Sequence, residues 1–240
     1  MIKNAGVEFR KAISMAIDRK AIVDKVYLSL AEEAHSLVPP NLLPREAQND
    51  DKSLKYDFEQ AKETIEKLVK EGKYKNEMIF LDTVAGDIFE RQASLVAQNL
   101  AKIGVKIEVT VNSFPELLQK IARGESQLWF LSWAADLPDP GNFYQLLHSS
   151  NSPNERNASG INGAQFELAI FDFLYDKFSV LIDETKKTIY LKKMGNVFLD
   201  HLPLVPLVHT HGLSIHKNRL SNLKPSFPGL STLKWIEVPK

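Results

Sequence analysis

The chain has 240 residues, and its 30 basic and 30 acidic side chains cancel to a formal net charge of zero. This balance gives no electrostatic case for binding nucleic acid or an anionic membrane surface. The absence of cysteine excludes disulfides and thiolate metal sites. No apolar run approaches the roughly 18 residues of a transmembrane helix, and 44% hydrophobic residues is ordinary for a soluble globular protein.

The first half of the chain is predicted to alternate helices and strands. Four predicted helix starts carry a side chain that can cap the first turn: Asp18, Asp57 with Gln60, Asp87 with Glu90, and Ser113. Between them, residues 77–83 and 105–111 are predicted to be strands. Helices alternating with strands in this order indicate an α/β fold in which helices pack on a mixed or parallel sheet.

The second half begins with an apolar strand pattern over residues 127–133 and a short helix over 142–147. A loop rich in Ser, Asn, Gly and Pro follows over residues 148–163. Two helices are predicted at 165–178 and 184–202, the second capped by Asp183, and residues 203–210 are predicted to be an apolar strand.

The most informative motif is the stretch SWAADLPDPGNF at residues 132–143. The predicted strand ends at a carboxylate, Asp136, and Pro138 and Pro140 then prevent further regular pairing because proline has no N–H. A carboxylate held on a stiff turn beside Trp133 is suited to receive a cation such as an ammonium group. The alternative is an ordinary surface turn, because Asp-Pro and Pro-Asp pairs are common turn formers.

Six segments of the chain, in order, resemble the extracytoplasmic oligopeptide- and dipeptide-binding proteins of ABC importers, which are the bacterial extracellular solute-binding protein family 5. The matching segments are FRKAISMAIDR at 9–19, VPP at 38–40, YDFEQAK at 56–62, AQNLAKIGV at 97–105, the motif at 132–143, and LPLVPL at 202–207. The resemblance implies a periplasmic-binding-protein-like lobe of type II, in the large peptide-binder class, with a mixed sheet flanked by helices.

The resemblance also implies roles for individual residues. Asp136 aligns with the aspartate that pairs with the ligand's α-ammonium group, and the backbone of Ser132, Trp133 and Ala134 aligns with the strand that pairs with an extended peptide. Arg91 lies near the position where some dipeptide binders place a basic residue for the terminal carboxylate. Arg91 can equally be a solvated helix residue that pairs with Asp87.

The family's proteins are roughly twice as long as this chain, and every match falls in their C-terminal half. We therefore expect a fragment in which residues 1–213 form the C-terminal lobe and residues 214–240 are a tail that returns to an absent first domain. The expected location is periplasmic or otherwise extracytoplasmic, either free or lipid-anchored, with no signal segment within this chain. The expected partners are a peptide, the missing N-terminal lobe and a membrane ABC permease, for a monomer that needs no cofactor and binds no nucleic acid.

Three other functions stay open on the sequence. A protein of the same fold could bind a non-peptide solute such as a nickel complex, an oligosaccharide or haem. The chain could be the solute-sensing domain of a transcription regulator. A hydrolase is the third alternative, although no nucleophile elbow, phosphate loop, dinucleotide fingerprint or zinc-protease motif is present. His209, His211 and His216 cluster near the end of the predicted strand at 203–210, and alternation along a strand would place His209 and His211 on one face, but no Asp or Glu lies nearby in the sequence.

Overall fold

A computed structural model describes residues 6–49, 54–154, 159–212 and Lys217. The predicted tail at 214–240 lies outside the described residues, apart from Lys217. The described elements, in chain order, are α1 (Gly6–Ala16), α2 (Arg19–Lys25), β1 (Ala31–Glu33), α3 (Phe58–Lys70), β2 (Ile79–Val84), α4 (Asp87–Lys102), β3 (Ile107–Asn112), α5 (Phe114–Ala122), β4 (Leu128–Trp129), α6 (Gly141–Tyr144), α7 (Ala169–Ser179), α8 (Glu184–His201) and β5 (Val208–Thr210). Short 3₁₀ turns occur at Pro40–Leu42, Arg45–Ala47, Gln145–Leu147 and Ser149–Asn151.

Two sheets organise the described strands. A parallel sheet has the order β3-β2-β4, with Leu81 opposite Leu128 and Asp82 opposite Trp129. A separate antiparallel ribbon pairs β1 with β5 and places Glu32 opposite His209. The predicted α/β class is confirmed. A mixed sheet was predicted to contain both parallel and antiparallel pairs; among the described strands, one sheet holds the parallel pairs and the other holds the antiparallel pair.

Most predicted helix caps are confirmed. The carboxylates of Asp18, Asp57 and Asp183 each accept a backbone N–H in the first turn of α2, α3 and α8, respectively. Ser113 and Glu116 form a complete capping box at α5. The predicted box of Asp87 with Glu90 is wrong. The residue before α4 is Gly86, at φ 144°, where a side chain would be strained, and its N–H donates to the Glu90 carboxylate at 3.0 Å.

Two predicted strands are longer than the observed ones. The strand predicted at 127–133 is regular only at Leu128–Trp129; β2 continues two residues beyond the last paired position, to Val84, but residues 131–133 do not pair with it. The strand predicted at 203–210 is regular only at Val208–Thr210, since the two prolines within that range have no N–H to donate to a ladder. The helix predicted at 165–178 begins later, at Ala169.

The buried apolar residues form two clusters. The first joins α1, α2, α3 and α4 to the parallel sheet and includes Phe9, Ile65, Leu81 and Leu100. The second joins α6, α7 and α8 to the loops around residues 38–54. Within the described residues, no helix is both long and apolar enough to cross a membrane.

Two arginines tie the first helices to the segment that precedes β5. Arg10 donates to the backbone carbonyls of His201 and Leu202, where α8 ends. Arg19 is 1% exposed and donates to the carbonyls of Ser14 and Pro206, both at 2.9 Å. Burial lowers the pKa of Arg19 to about 10, and the nearby charge of Glu33 opposes that shift. The two ends of the described chain are therefore held together by charged donors on main-chain acceptors.

Candidate functional site

The chain beyond β4 forms an arm, residues 131–136, which lies outside regular secondary structure and whose backbone is largely unpaired. The last bond to the sheet is made by Phe130, whose N–H donates to the carbonyl of Asp82 at 3.1 Å. Within the described part of the chain, the backbone N–H and C=O groups of residues 131–135 have no hydrogen-bond partner. Among the described strands, β4 lies at an edge of the parallel sheet, and the arm leaves the sheet from that edge.

One residue, Asn142 in α6, holds this arm. The indole Nε1–H of Trp133 donates to the backbone carbonyl of Asn142 at 2.9 Å and to its Oδ1 at 3.2 Å. The backbone N–H of Asp136 donates to the same Oδ1 at 3.2 Å. Trp133 is half-buried against the second core cluster, so its ring is fixed both by packing and by its polar atom.

The Asp136 carboxylate is exposed and, among the described residues, has no hydrogen-bond or ion-pair partner. It is followed by a turn in which Asp139 accepts the N–H of Gly141 at 2.7 Å. Asp136 therefore lies in this loop and not at the end of a regular strand, which corrects the sequence prediction. The predicted combination of a stiff turn, Trp133 and a free carboxylate is nevertheless present.

A cavity of about 280 Å³ opens beside the arm, at the carboxyl ends of the parallel strands. Apolar side chains dominate its lining, which consists of Val84, Ala85, Phe89, Ser113, Phe114, Phe130, Leu131 and Ser132. Small ligands of open parallel sheets bind at this edge because the strands end there and the helices begin. The cavity thus offers an apolar site next to the unpaired backbone at Leu131 and Ser132.

A buried ion pair lies on the neighbouring part of the sheet. Asp82 of β2 is 1% exposed and accepts hydrogen bonds from Lys120 of α5 and from Asn112 Nδ2 at 3.0 Å. Burial by itself would raise the pKa of Asp82, but the hydrogen bonds from Lys120 and Asn112 outweigh it and hold that pKa below its usual value. This pair fixes α5, and with it Phe114, against the strands.

Arg91 forms an ion pair with Asp87, which is the alternative role that the sequence left open. Its Nε lies 3.1 Å from the Asp87 carboxylate, and both side chains are more than half exposed. Phe89 of the same helix lines the cavity, and two positions along a helix turn through roughly 200°, which places Arg91 on another side of α4. A role for Arg91 in binding a ligand carboxylate stays a prediction.

Of the two histidines at β5, only His211 forms a pair with a glutamate of β1 within the described residues. His211 Nε2 lies 3.5 Å from Glu32, and burial lowers the pKa of His209. Within the part of the chain that the structure describes, no group of three or more His, Asp or Glu side chains converges as a metal site.

The sequence reasoning identified Asp136, Trp133, Ser132 and Ala134, and the structure places all four in the arm. It missed Asn142, the cavity and the buried Asp82–Lys120 pair. Asn142 gave no signal because Asn is common after Pro-Gly in turns. Asp82 could have been noticed in the sequence, because a charged residue is unusual within a strand of mainly apolar residues.

Comparison with known proteins identifies relatives along nearly the whole chain. Over 239 residues it is 24% identical to "Di/tripeptide-binding protein 1" of Pseudomonas aeruginosa, covering 98% of this chain and 43% of the relative. It is 26% identical over 236 residues to "Heme-binding protein A" of Haemophilus influenzae, covering 97% and 42%. The chain therefore spans less than half the length of these relatives.

A solved structure has the same fold. The dipeptide-binding protein of Pseudoalteromonas sp. SM9913, in complex with Met-Leu, superposes with a TM-score of 0.71 at 27% identity and covers 85% of this chain and 39% of its own. Residues 3–155 match the family "Bacterial extracellular solute-binding proteins, family 5 Middle", whose members bind solutes and are not enzymes. Because this match covers more than half of the chain, the protein belongs to family 5 of the bacterial extracellular solute-binding proteins.

Proposed function

We propose that this chain is the C-terminal lobe of an extracytoplasmic receptor that binds peptides and delivers them to an ABC permease in the membrane. In this proposal residues 1–213 form the lobe, and residues 214–240 return to an N-terminal lobe that completes the cleft. The receptor is a monomer, either free or lipid-anchored. The observation that carries the proposal is the arm, where unpaired backbone groups stand beside a carboxylate without a partner.

The arm's backbone favours an extended peptide as the ligand. Residues 131–135 offer N–H and C=O groups at an open sheet edge, and a peptide can pair with such groups as an added strand. Main-chain pairing does not depend on side chains, so it permits many peptide sequences. The backbone of Ser132, Trp133 and Ala134 supplies these groups.

The Asp136 carboxylate favours the amino end of that peptide. A charge-assisted hydrogen bond from an α-ammonium group is stronger than one between neutral groups, and closing the cleft around it removes competing water. Haem carries propionate anions, which this free carboxylate would repel. The apolar cavity beside Ser132 fits one ligand side chain.

Native mass spectrometry of the complete two-lobed receptor, as purified, tests the proposal. We expect a spread of adducts with peptide masses, and a loss of about 2–5 kcal/mol in binding free energy for Asp136→Asn. Asp200→Asn, which removes another exposed carboxylate from α8, is the matched control and should bind normally. A single non-peptide adduct that Asp136→Asn leaves unchanged would reject peptide binding.

The role of Arg91 requires its own test. If Arg91 binds the ligand carboxylate, Arg91→Ala weakens binding of tri-alanine with a free carboxyl end and has little effect on tri-alanine amide. If Arg91 pairs only with Asp87, both peptides bind the variant as they bind the unsubstituted receptor.

A further inference from the structure

The arm at residues 131–136 is fixed by very few polar contacts. Within the described part of the chain, every hydrogen bond that these six residues make goes to Asn142. In five of the six residues, neither the backbone N–H nor the backbone C=O is paired with any described residue. From these contacts we infer that Asn142 is a positioning residue, which holds the Trp133 ring and the Asp136 anchor in place for the ligand. This inference rests on the proposed function.

The Asn142 side chain contacts both the Trp133 indole and the Asp136 backbone, so it can hold two groups that would face the ligand. Oδ1 of Asn142 accepts both the indole N–H of Trp133 and the backbone N–H of Asp136, each at 3.2 Å. An amide oxygen has two lone pairs, so both bonds can form at once. Fixing the N–H of Asp136 fixes its Cα, and the side chain then extends from a defined point. The indole ring and the backbone from which the carboxylate extends are therefore held by the same atom.

The support for Asn142 comes from the second core cluster. Its neighbours Phe143 and Tyr144 in α6 are buried in that cluster, and Gly141 lies against the ring of Phe178 in α7. The contact at Gly141 is close, because an added Cβ would lie 2.7 Å from Phe178 Cε1. Asn142 therefore lies on a well-packed helix, and its hydrogen bonds hold the otherwise unpaired arm against that helix. Holding a binding group in place before the ligand arrives reduces the entropy lost on binding.

Two substitutions at position 142 distinguish the loss of the Oδ1 hydrogen-bond acceptor from the replacement of the residue itself. Asn142→Ala removes Oδ1, whereas Asn142→Asp keeps an acceptor at the same position. Gln145→Ala is the matched control, because the Gln145 side chain donates to the Asn142 carbonyl at 3.0 Å and does not touch the arm. All variants are made in the complete receptor, and circular dichroism and thermal unfolding show whether each one folds.

The first readout needs no ligand. Hydrogen-exchange mass spectrometry follows the Asp136 N–H, and ¹⁵N-tryptophan labelling follows the Trp133 indole, one of the three tryptophans of this chain, with its signal assigned by comparison with Trp133→Phe. We expect the Asp136 N–H to exchange about tenfold faster in Asn142→Ala and at the normal rate in Asn142→Asp and Gln145→Ala. We also expect the Trp133 indole signal to shift in Asn142→Ala alone. Unchanged exchange and an unchanged indole signal in Asn142→Ala would overturn the inference.

The second readout is the affinity for tri-alanine. We expect Asn142→Ala to bind about tenfold more weakly and Asn142→Asp to bind as the unsubstituted receptor does. Faster exchange without any loss of affinity would also overturn the inference, because the arm would then bind equally well when loosened. If the unsubstituted receptor binds no peptide while the exchange result holds, the proposed function fails and the contact to Asn142 stands.

Discussion

Removing the cation from the buried pair on the sheet should destabilise the protein strongly. Asp82 is 1% exposed, and in Lys120→Met its charge would remain buried with Asn112 as its main donor. Breaking a buried pair from one side costs about 3–5 kcal/mol. Because the Lys120 side chain is 29% exposed and water can partly replace it, we expect the low end, about 3 kcal/mol of unfolding free energy. Urea denaturation at pH 7 measures this loss.

The pH dependence of that loss identifies its cause. In the unsubstituted protein the pKa of Asp82 is lowered, so its stabilising contribution is present above the ordinary aspartate pKa and is lost as pH falls through the lower folded-state value. In Lys120→Met the hydrogen bond from Lys120 is gone, and burial then raises the pKa of Asp82. The carboxyl protonates earlier on acidification, which removes the stranded charge. The difference in unfolding free energy between the two proteins should therefore shrink from pH 7 toward about pH 4.

The double variant Asp82→Asn with Lys120→Met is the control, since it removes both charges and keeps an amide beside Asn112. We expect it to recover most of the lost stability. Lys20→Met, which breaks an exposed pair with Asp24, should change stability little. A double variant as unstable as Lys120→Met, together with a pH-independent deficit, would refute the stranded-charge explanation and indicate lost packing of the lysine stem.

Three further predictions concern stability and are measured by denaturant unfolding. Leu28→Gly should stabilise the protein by about 1 kcal/mol, because Leu28 is 72% exposed and sits at φ 51°, where a side chain is strained. Gly160→Ala should cost about 1–3 kcal/mol, because its Cβ would lie 2.5 Å from the backbone N of Pro153, whereas Gly212→Ala has open space and should be neutral. Arg19→Met should cost about 2–3 kcal/mol by removing the guanidinium donor from the buried carbonyl of Ser14 and the partly buried carbonyl of Pro206; an unchanged midpoint would show that water replaces the guanidinium.

Local signals predicted much of this fold correctly. Asp18, Asp57, Ser113 and Asp183 cap helices as expected, because a cap needs only a short polar side chain and the first turn beside it. At α4 the same pattern was misleading, since Gly86 provides the start of the helix without a side chain. Capping boxes are therefore less certain where a glycine immediately precedes the acidic residue.

The candidate site was harder to predict because it depends on contacts between elements. The alternation at 127–133 cannot reveal that the chain stops pairing with β2 after Phe130, so the sequence alone predicted a strand where there is an unpaired arm. Asn142 is six positions from Asp136, and their contact requires the turn through Pro138 and Pro140 to fold back. Only the type of residue at Asp136 and Trp133 could be read directly from the sequence.

The arm's position between the two cores explains how unpaired backbone remains available. Phe130, at its start, packs on the first core, and Trp133 and Ala135 pack on the second. Its ends are held by the bond from Phe130 to Asp82 and by the bonds to Asn142. An exposed, unpaired segment would normally lose its extended shape to chain entropy, at about 1–2 kcal/mol for each residue that is ordered. Anchoring both ends on packed cores supplies that ordering in advance, so in the proposed function a peptide would meet hydrogen-bonding groups that are already held in place.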